Sequence, residues 1–378
     1  MKGFFILILI IIFFTMVAES VRRKGFDQLR IKRILNAPKM IFPQKEFEII
    51  TELENKKLIP ISFINICDIY DNNLVRIGDR YSKENENNKY YYSNYSIAGN
   101  ERVKRVYKVK AKKRGVFSIG TMYVTIGDFF GFGQDTKEIE SPIEIVVYPE
   151  YPKAKDIIFN NKSLQGDEVI RRWIFQDPMM VRGLHEYNSN HRMKDIHWNS
   201  SAKLGKLMAR EYDFTGHRRV MFFMNVQFGN PIWSSINEDG VEKIIKITMS
   251  LSEALSSQGI AVGATTNGGI VNYYNEGKNY VASYVGNFKE ILELGARVHH
   301  VANESFYDFL KSNEKYLVRD GINVIVTGYM DDEMALQIKR LSEKGYSIKI
   351  ITTSSQIEMC SMPLVEILNY ETEEEEYE

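Results

Sequence analysis

Arg219-Val220-Met221-Phe222-Phe223-Met224-Asn225-Val226 is the stretch on which the fold turns. It is nearly unbroken in apolar character and shows no alternation, as a strand buried on both faces of a parallel sheet requires. Asn237–Ser257 follows with Val241, Ile244, Ile245, Leu251, Ala254 and Leu255 at helical spacing, and Asp239 placed to cap it or oppose its dipole. Gly259–Thr265 reads as a second buried strand, and Asn287–Leu294 and Asn303–Tyr316 as helices with Asn at each start. Ile322–Thr327 is a strand, Asp331–Lys344 a helix stopped by Gly345, and Tyr346–Ile351 a last strand. Tyr273–Tyr284, with a turn at Glu276-Gly277-Lys278, reads as an added hairpin or loop. The alternation predicts a doubly wound, parallel α/β domain over residues 218–356.

Ligands of such a sheet sit outside the carboxyl ends of its strands. The loop after the first strand is Asn225-Val226-Gln227-Phe228-Gly229. It has no nucleotide-type glycine turn, no serine elbow and no carboxylate. A hard divalent cation needs charged oxygens, commonly an Asp or Glu. Asn225 and Gln227 supply neutral amides and Gly229 only backbone, so the expectation is no metal here and no cofactor.

Upstream, residues 47–150 break into short stretches of strand composition: Phe47–Leu53, Ile59–Cys67, Val103–Ala111, Val116–Ile119, Met122–Ile126 and Ile143–Tyr148. Regularly spaced short strands predict a β-sandwich-like domain. Residues 83–100, rich in Asn and Tyr, read as a polar loop inserted between strands. Gly127-Asp128-Phe129-Phe130-Gly131-Phe132-Gly133 is not a phosphate loop, because no helix follows it and no Lys-Ser/Thr closes it. Tyr148-Pro149-Glu150-Tyr151-Pro152 stiffens the exit and marks the boundary. Residues 151–217 then form a linker and motif segment.

The 378 residues are 44% apolar and 26% charged, enough to bury two cores. Net charge is zero, but the six glutamates of 371–378 hide a mild excess of 49 basic over 43 acidic side chains in 1–370. That excess is too small for a nucleic-acid groove, and residues 357–378 read as a solvated acidic tail. Two cysteines, Cys67 and Cys360, make no disulfide framework. Gly3–Ala18 is uncharged and spans about 24 Å as a helix, near the ~30 Å of a hydrocarbon core. Ala18-Glu19-Ser20 offers a small-x-small site for a cleaved signal peptide, but Arg22-Arg23-Lys24 outweigh Lys2 and the amino terminus, so the positive-inside rule favours an uncleaved anchor at residues 1–21 with the chain cytoplasmic. Residues 22–46 then read as a basic juxtamembrane linker, with Lys24–Arg33 against anionic lipid.

Val181–Tyr212 stands apart, with His185, His191 and His197 spaced by six. That spacing suits neither one helical face nor a zinc hairpin, and no nucleophile beside Glu186, Asp195 or a histidine is marked for catalysis. A metal-dependent hydrolase built on residues 182–211 is therefore the second reading. The first is structural or docking: Arg182, Arg192 and Arg210 pair with Glu186, Asp195 and Glu211, while Tyr187, Ile196, Trp198 and Leu207 anchor the segment between the domains.

The segment resembles the signature of the bacterial family catalogued as domain of unknown function fifty-eight. It matches at Val181, Arg182, Glu186, Tyr187, the basic Arg192, Ile196, His197, Trp198, Ser201, Ala202, Leu207, Arg210 and Glu211. It departs at His185, where Arg is usual, at Asn190-His191, where Gly-Asp is usual, and at Lys203 in place of Arg. Arg114-Gly115-Val116-Phe117, Gly127–Gly131 and Val262-Gly263 with Thr266-Asn267-Gly268 fit the wider layout, although relatives often carry a pair of apolar segments rather than one. The resemblance implies a von Willebrand A-like domain after the sandwich and a partner among MoxR-type AAA+ ATPases. Von Willebrand A domains bind protein ligands through an Asp-x-Ser-x-Ser metal site, whose place here is taken by Asn225–Gly229. The expected protein is thus a membrane-anchored, non-enzymatic scaffold that touches lipid through its amino end and a protein through its domains.

Overall fold

The computed structural model describes residues 19, 24–79, 83–85, 87–127, 133–159, 164–169, 181–187, 193, 196–212, 219–354 and 365–371. The apolar amino-terminal segment, the core of the glycine-rich stretch at 128–132 and residues 372–378 lie outside them. Among the described residues no helix is long and apolar enough to cross a membrane. The chain forms two units, Met1–Glu150 with Val271–Glu276, and Tyr151–Ile270 with Gly277–Glu378.

The first unit is antiparallel and two-layered. One sheet has the order β1 (Leu29–Asn36), β2 (Glu46–Asn55), β7 (Arg102–Ala111), β4 (Leu74–Arg76). The other has the order β5 (Lys83–Glu84), β6 (Asn88–Ile97), β3 (Ile61–Asp71), β8 (Gly115–Gly127), β9 (Gln134–Val147). Alternate residues point inward, so Phe47, Ile49, Tyr107 and Val109 of the first sheet meet Tyr70, Tyr91, Phe117 and Ile145 of the second in one core.

Three expectations change here. The polar stretch 83–100 is no loop, because most of it is β6, with Tyr91, Ser93, Tyr95 and Ile97 turned inward and buried. Its period of two was masked by hydroxyl and amide side chains that count as polar. Val116–Ile119 and Met122–Ile126 are one strand, β8, with a register shift between Ile119 and Thr121 that exchanges the inward set. The sandwich also begins earlier than Phe47, since β1 lies within the stretch read as a juxtamembrane linker. Arg33 of β1 is not spread on lipid; it is buried between the sheets.

There Arg33 donates to Asp68 Oδ1 through Nε (3.1 Å) and Nη2 (2.7 Å), and to the backbone carbonyls of Gly120 (2.7 Å), Ser141 (3.0 Å) and Thr121 (3.1 Å). The other oxygen of Asp68 takes Arg76 from β4, whose guanidinium lies over the ring of Tyr107 at 3.8 Å and near those of Tyr70 and Tyr91. Burial pushes the Tyr70 phenol up to about 12, with the Arg76 charge pulling the other way.

The second unit is built on one eight-stranded sheet, which contains the expected apolar run. Its order is β11 (Leu164–Gln165), β10 (Ile158–Phe159), β21 (Glu366–Glu371), β20 (Ser347–Thr352), β19 (Gly321–Thr327), β14 (Arg219–Met224), β15 (Ala261–Thr266), β17 (Tyr280–Tyr284). From β21 to β15 neighbouring strands run parallel; β17 closes one edge antiparallel, and β10 with β11 the other. Small two-stranded sheets, β12 (Val181–Glu186) with β13 (Met208–Tyr212) and β16 (Gly268–Ile270) with β18 (Val298–Ala302), complete it.

The helices are α1 (Trp198–Leu204), α2 (Glu238–Ser257), α3 (Phe288–Arg297), α4 (Phe306–Ser312) and α5 (Asp332–Glu343). Met221 and Phe223 pack with Phe309 of α4 and Ile338 of α5. Alternation therefore turns Val220, Phe222 and Met224 to the face on which α2 contacts β14. The strand is buried on both sides, as its composition requires. Tyr346–Ile351 is not the last strand. Glu366–Glu371, placed by its acidic character in the tail, adds β21 beside β20. Asn237 caps α2 by accepting from Gly240 N (2.8 Å), the role assigned to Asp239. Asn287 and Asn303 are not caps by side chain. Asn287 donates instead to Val262 O (2.7 Å) and Ala282 O (2.6 Å), and Ser305 caps α4.

Candidate functional site

The chain runs from β14 through α2 to β15 on one side, then returns to β19 on the other side of β14. Loops leaving the carboxyl ends of β14 and β19 therefore part, which is where an open α/β sheet forms a crevice. All four central strands end in the same local device. A side-chain oxygen at the strand end accepts the amide two residues on: Asn225 from Gln227 (2.9 Å), Thr266 from Gly268 (3.0 Å), Thr327 from Tyr329 (3.2 Å) and Thr352 from Ser354 (3.0 Å). Short polar side chains turn a backbone this way because they replace the ladder bond that the strand gives up.

The three residues expected to be a poor ion site, Asn225, Gln227 and Gly229, lie at the centre of a closed network. Asn225 Nδ2 donates to Thr327 Oγ1 (2.9 Å) and Tyr329 O (3.3 Å), and its Oδ1 also accepts from Asn267 Nδ2 (3.3 Å). Gln227 donates to Gly229 O (3.0 Å) and accepts from Phe306 N (2.8 Å), the first residue of α4. Asn267 accepts from Val226 N (2.9 Å) and donates to Glu304 O (3.1 Å). Asn225, Gln227, Asn267 and Thr327 are all buried. Every amide oxygen that a cation would seek is already held by an N–H. Among the described residues no three His, Cys, Asp or Glu side chains gather. Asn267 and Thr327, essential to this closure, lie far from the loop in sequence, and only their places at strand ends could have marked them.

On the α2 side of the network lies an open pocket of about 440 Å³, lined among others by Phe228, Asp239, Lys243, Ser354 and Tyr370. The ring of Phe228 is wedged between two glycines: a Cβ on Gly240 or Gly328 would come within 2.3 Å of it. The loop after Gly229 is tied to itself, Ser234 giving both N (2.9 Å) and Oγ (2.7 Å) to Pro231 O. It holds Trp233 74% and Ile236 56% exposed.

Val181–Tyr212 folds as a hairpin of β12 and β13 with α1 set between them. His197, one of the residues that suggested chemistry, is the cap of α1: its Nδ1 accepts from Ser200 N (3.2 Å). Ser201, buried, donates to His197 O (3.0 Å) and accepts from Met208 N (2.9 Å), fastening the helix to β13. Ile196 is buried and bridges to Ala209. Trp198 and Leu207, expected as anchors, are 64% and 46% exposed, because Ser201 is the one residue α1 buries. Glu186 pairs with Lys206 Nζ (3.1 Å) in solvent, Tyr187 N donates to Leu207 O (2.8 Å), and Ala202 is exposed. Arg182 and His185 sit on β12, and Arg210 and Glu211 on β13, while His191, Arg192 and Asp195 lie outside the described residues.

No established family model matches the chain. Among solved structures it is similar to the CARDB domain of a Pyrococcus furiosus protein (12% identity, 32% of this chain, 96% of that one, TM-score 0.22). It is equally similar to a cohesin module of a Clostridium perfringens glycoside hydrolase (12% identity, 31% of this chain, 96% of that one, TM-score 0.22). In sequence it is 20% identical over 234 residues, 60% of its length, to the uncharacterized protein YeaD of Bacillus subtilis strain 168. It spans about half, 54%, of that relative. The chain is a distant homologue of YeaD that joins a sandwich-like antiparallel unit to a mixed, mostly parallel α/β unit.

Proposed function

We propose that this is a membrane-anchored, non-enzymatic interaction protein of the domain-of-unknown-function fifty-eight type, whose von Willebrand A-like unit binds a protein partner without a metal. One observation carries the reading. Asn225, Gln227, Asn267 and Thr327 at the carboxyl face of the sheet are tied to one another and to the backbone, while the adjoining loop holds Trp233 and Ile236 out in solvent. A reaction centre would keep polar groups available for substrate, whereas exposed Trp beside a formed pocket is the composition of a binding hot spot. The resemblance of Val181–Tyr212 points to a MoxR-type AAA+ ATPase as partner. The amino-terminal apolar segment and the charges at 22–24 support an anchor with the units on the cytoplasmic side.

The test uses the full chain in detergent and a purified MoxR-type ATPase from the same organism. Binding is expected for the native chain, and a loss of at least about tenfold for Trp233→Ala with Ile236→Ala, as for hot-spot residues. Equal binding by the variant, or none by the native chain, overturns the reading. Protease added outside intact spheroplasts is expected to leave both units uncut.

A further inference from the structure

The two outer faces of the sandwich differ sharply in chemistry. On the four-stranded sheet, Lys32 of β1, Glu52 of β2 and Lys104 of β7 stand opposite one another, with Arg102 also on Glu52. Burial pushes the Glu52 carboxyl up, but these cations outweigh it and hold it below the usual range. That face is a ladder of alternating charge crossed by one apolar row, Ile34, Ile50 and Val106.

The outer face of the five-stranded sheet carries no formal charge on its three inner strands between Phe63 and Ile69; beyond them Asp71, at the end of β3, accepts from Asn73 N (2.7 Å) and Asn73 Nδ2 (2.9 Å). β3 presents Phe63, Asn65, Cys67 and Ile69; β6 presents Tyr90, Tyr92, Asn94 and Ser96; β8 presents Thr121, Tyr123 and Thr125. Tyr92 and Tyr123 flank Cys67 in one row and are 52% and 41% exposed. Phe63 is 36% exposed. Neighbouring polar groups pair sideways, Asn65 with Asn94 (2.7 Å) and Thr125 with Thr136 (2.8 Å). One end of the face is covered within the unit, where Glu144 accepts from Tyr274 N (2.9 Å) and Asn275 N (3.1 Å) and Ser118 donates to Tyr274 OH (3.1 Å). Along the rows from Phe63 to Ile69, charge returns at the two edges. Lys83 of β5 stands opposite Tyr90, and Glu138 and Glu140 of β9 stand opposite Tyr123 and Thr121.

We infer that this face binds a second copy of the same chain, with a two-fold axis running along β3, the central strand. Rotation about that axis lays β6 of one copy over β8 of its partner and β5 over β9. Tyr92 then meets the Tyr123 position of the other copy. Lys83, in the row of Tyr90 and Ile69, meets the row of Thr121 and Glu140. The edges are thus complementary twice over, and the rows from Phe63 to Ile69 meet their copies without repulsion. Tyr and Phe with few charges is also what the core of a protein interface favours. Five strands at ~4.8 Å and the open length of β3 at ~3.4 Å per residue give roughly 600 Å² per copy in projection. That is close to the lower bound of about 1,200 Å² in total for a specific interface, so the pairing depends on concentration.

The experiment co-expresses two differently tagged full-length chains in detergent-solubilised form and measures co-purification together with sedimentation against concentration. The native pair is expected to associate. Lys83→Glu sets Glu against Glu140, and Glu140→Lys sets Lys against Lys83, so each variant is expected to lose self-association at least about tenfold, as like-charge juxtaposition costs. A Lys83→Glu chain mixed with a Glu140→Lys chain restores both edge pairs and is expected to associate as the native chain does. All three positions tested, Tyr123 included, are on the surface, and a thermal melt checks the fold of each variant. The inference is overturned if the native chain stays monomeric. It is equally overturned if association survives Tyr123→Glu, or if the complementary mixture pairs no better than either variant with itself.

Discussion

The two units hold themselves together with opposite kinds of polar chemistry. The sandwich closes its layers with buried charge, Arg33–Asp68–Arg76, inside a ring of Tyr70, Tyr91 and Tyr107. The parallel sheet closes its loops with neutral amides and a hydroxyl, Asn225, Gln227, Asn267 and Thr327. Buried charges must be fully compensated, so a charged tie fails as a whole when one member is lost. A neutral network loses one bond at a time and is indifferent to pH. The first arrangement fixes how the sheets of one unit register. The second ties the loops at the carboxyl ends of the strands to one another.

The largest expected effect follows from removing Asp68. Asp68→Ala strands two buried guanidinium groups and is expected to destabilise the first unit by about 3–5 kcal/mol. Hydrogen exchange of β3 and β8 amides reports it. All three tryptophans, Trp173, Trp198 and Trp233, lie in 151–378, so denaturation followed by their fluorescence is expected to stay unchanged. Co-replacement Arg33→Met, Asp68→Leu and Arg76→Met, which removes the charges together, is expected to recover most of the loss.

Alkali separates the units next. The buried Tyr70 phenol, at about 12 in the fold, lies above its unfolded value near 10. Its contribution is complete below pH 10 and is lost as pH rises through 12, for about 2–3 kcal/mol. Denaturation midpoints of the first unit are expected to fall over that window, and Tyr70→Phe is expected to flatten the fall.

Gln227→Ala is smaller, about 2 kcal/mol, because it leaves Phe306 N and Gly229 O unpaired in the second unit. Its size is expected to be the same at pH 6 and pH 9, measured by urea denaturation; a marked difference would break the contrast between the units. The smallest is His197→Ala, about 1 kcal/mol for loss of a helix cap, seen as faster exchange in α1 with β14 unaffected.

Legibility followed polarity. β14, β15 and β19 were readable because a strand covered on both faces is mostly apolar, and β20 by Ile348, Ile350 and Ile351. β6, β1 and β21 were not. Their inward positions hold Tyr91, Ser93 and Tyr95, or Arg33, or lie beside a glutamate run, and their partners come from distant strands. At the site, that Asn225–Gly229 offers neutral amides and backbone rather than carboxylates could be read from residue types alone. That Asn267 and Thr327 close it could not, since they are 42 and 102 residues away from Asn225.

Composition and periodicity by themselves determined that an antiparallel β unit precedes an alternating α/β unit, because burial imposes a period on apolar residues whatever the fold does elsewhere. Only the tertiary structure decided what the polar residues do. A buried Arg or Asn, or a half-buried His, is compatible with a ligand site, a tie or a cap until its partner is known, and the partners of Arg33 and Asn225 come from other strands. Arg33 became a tie between sheets, Asn225 the centre of a sealed network and His197 a helix cap.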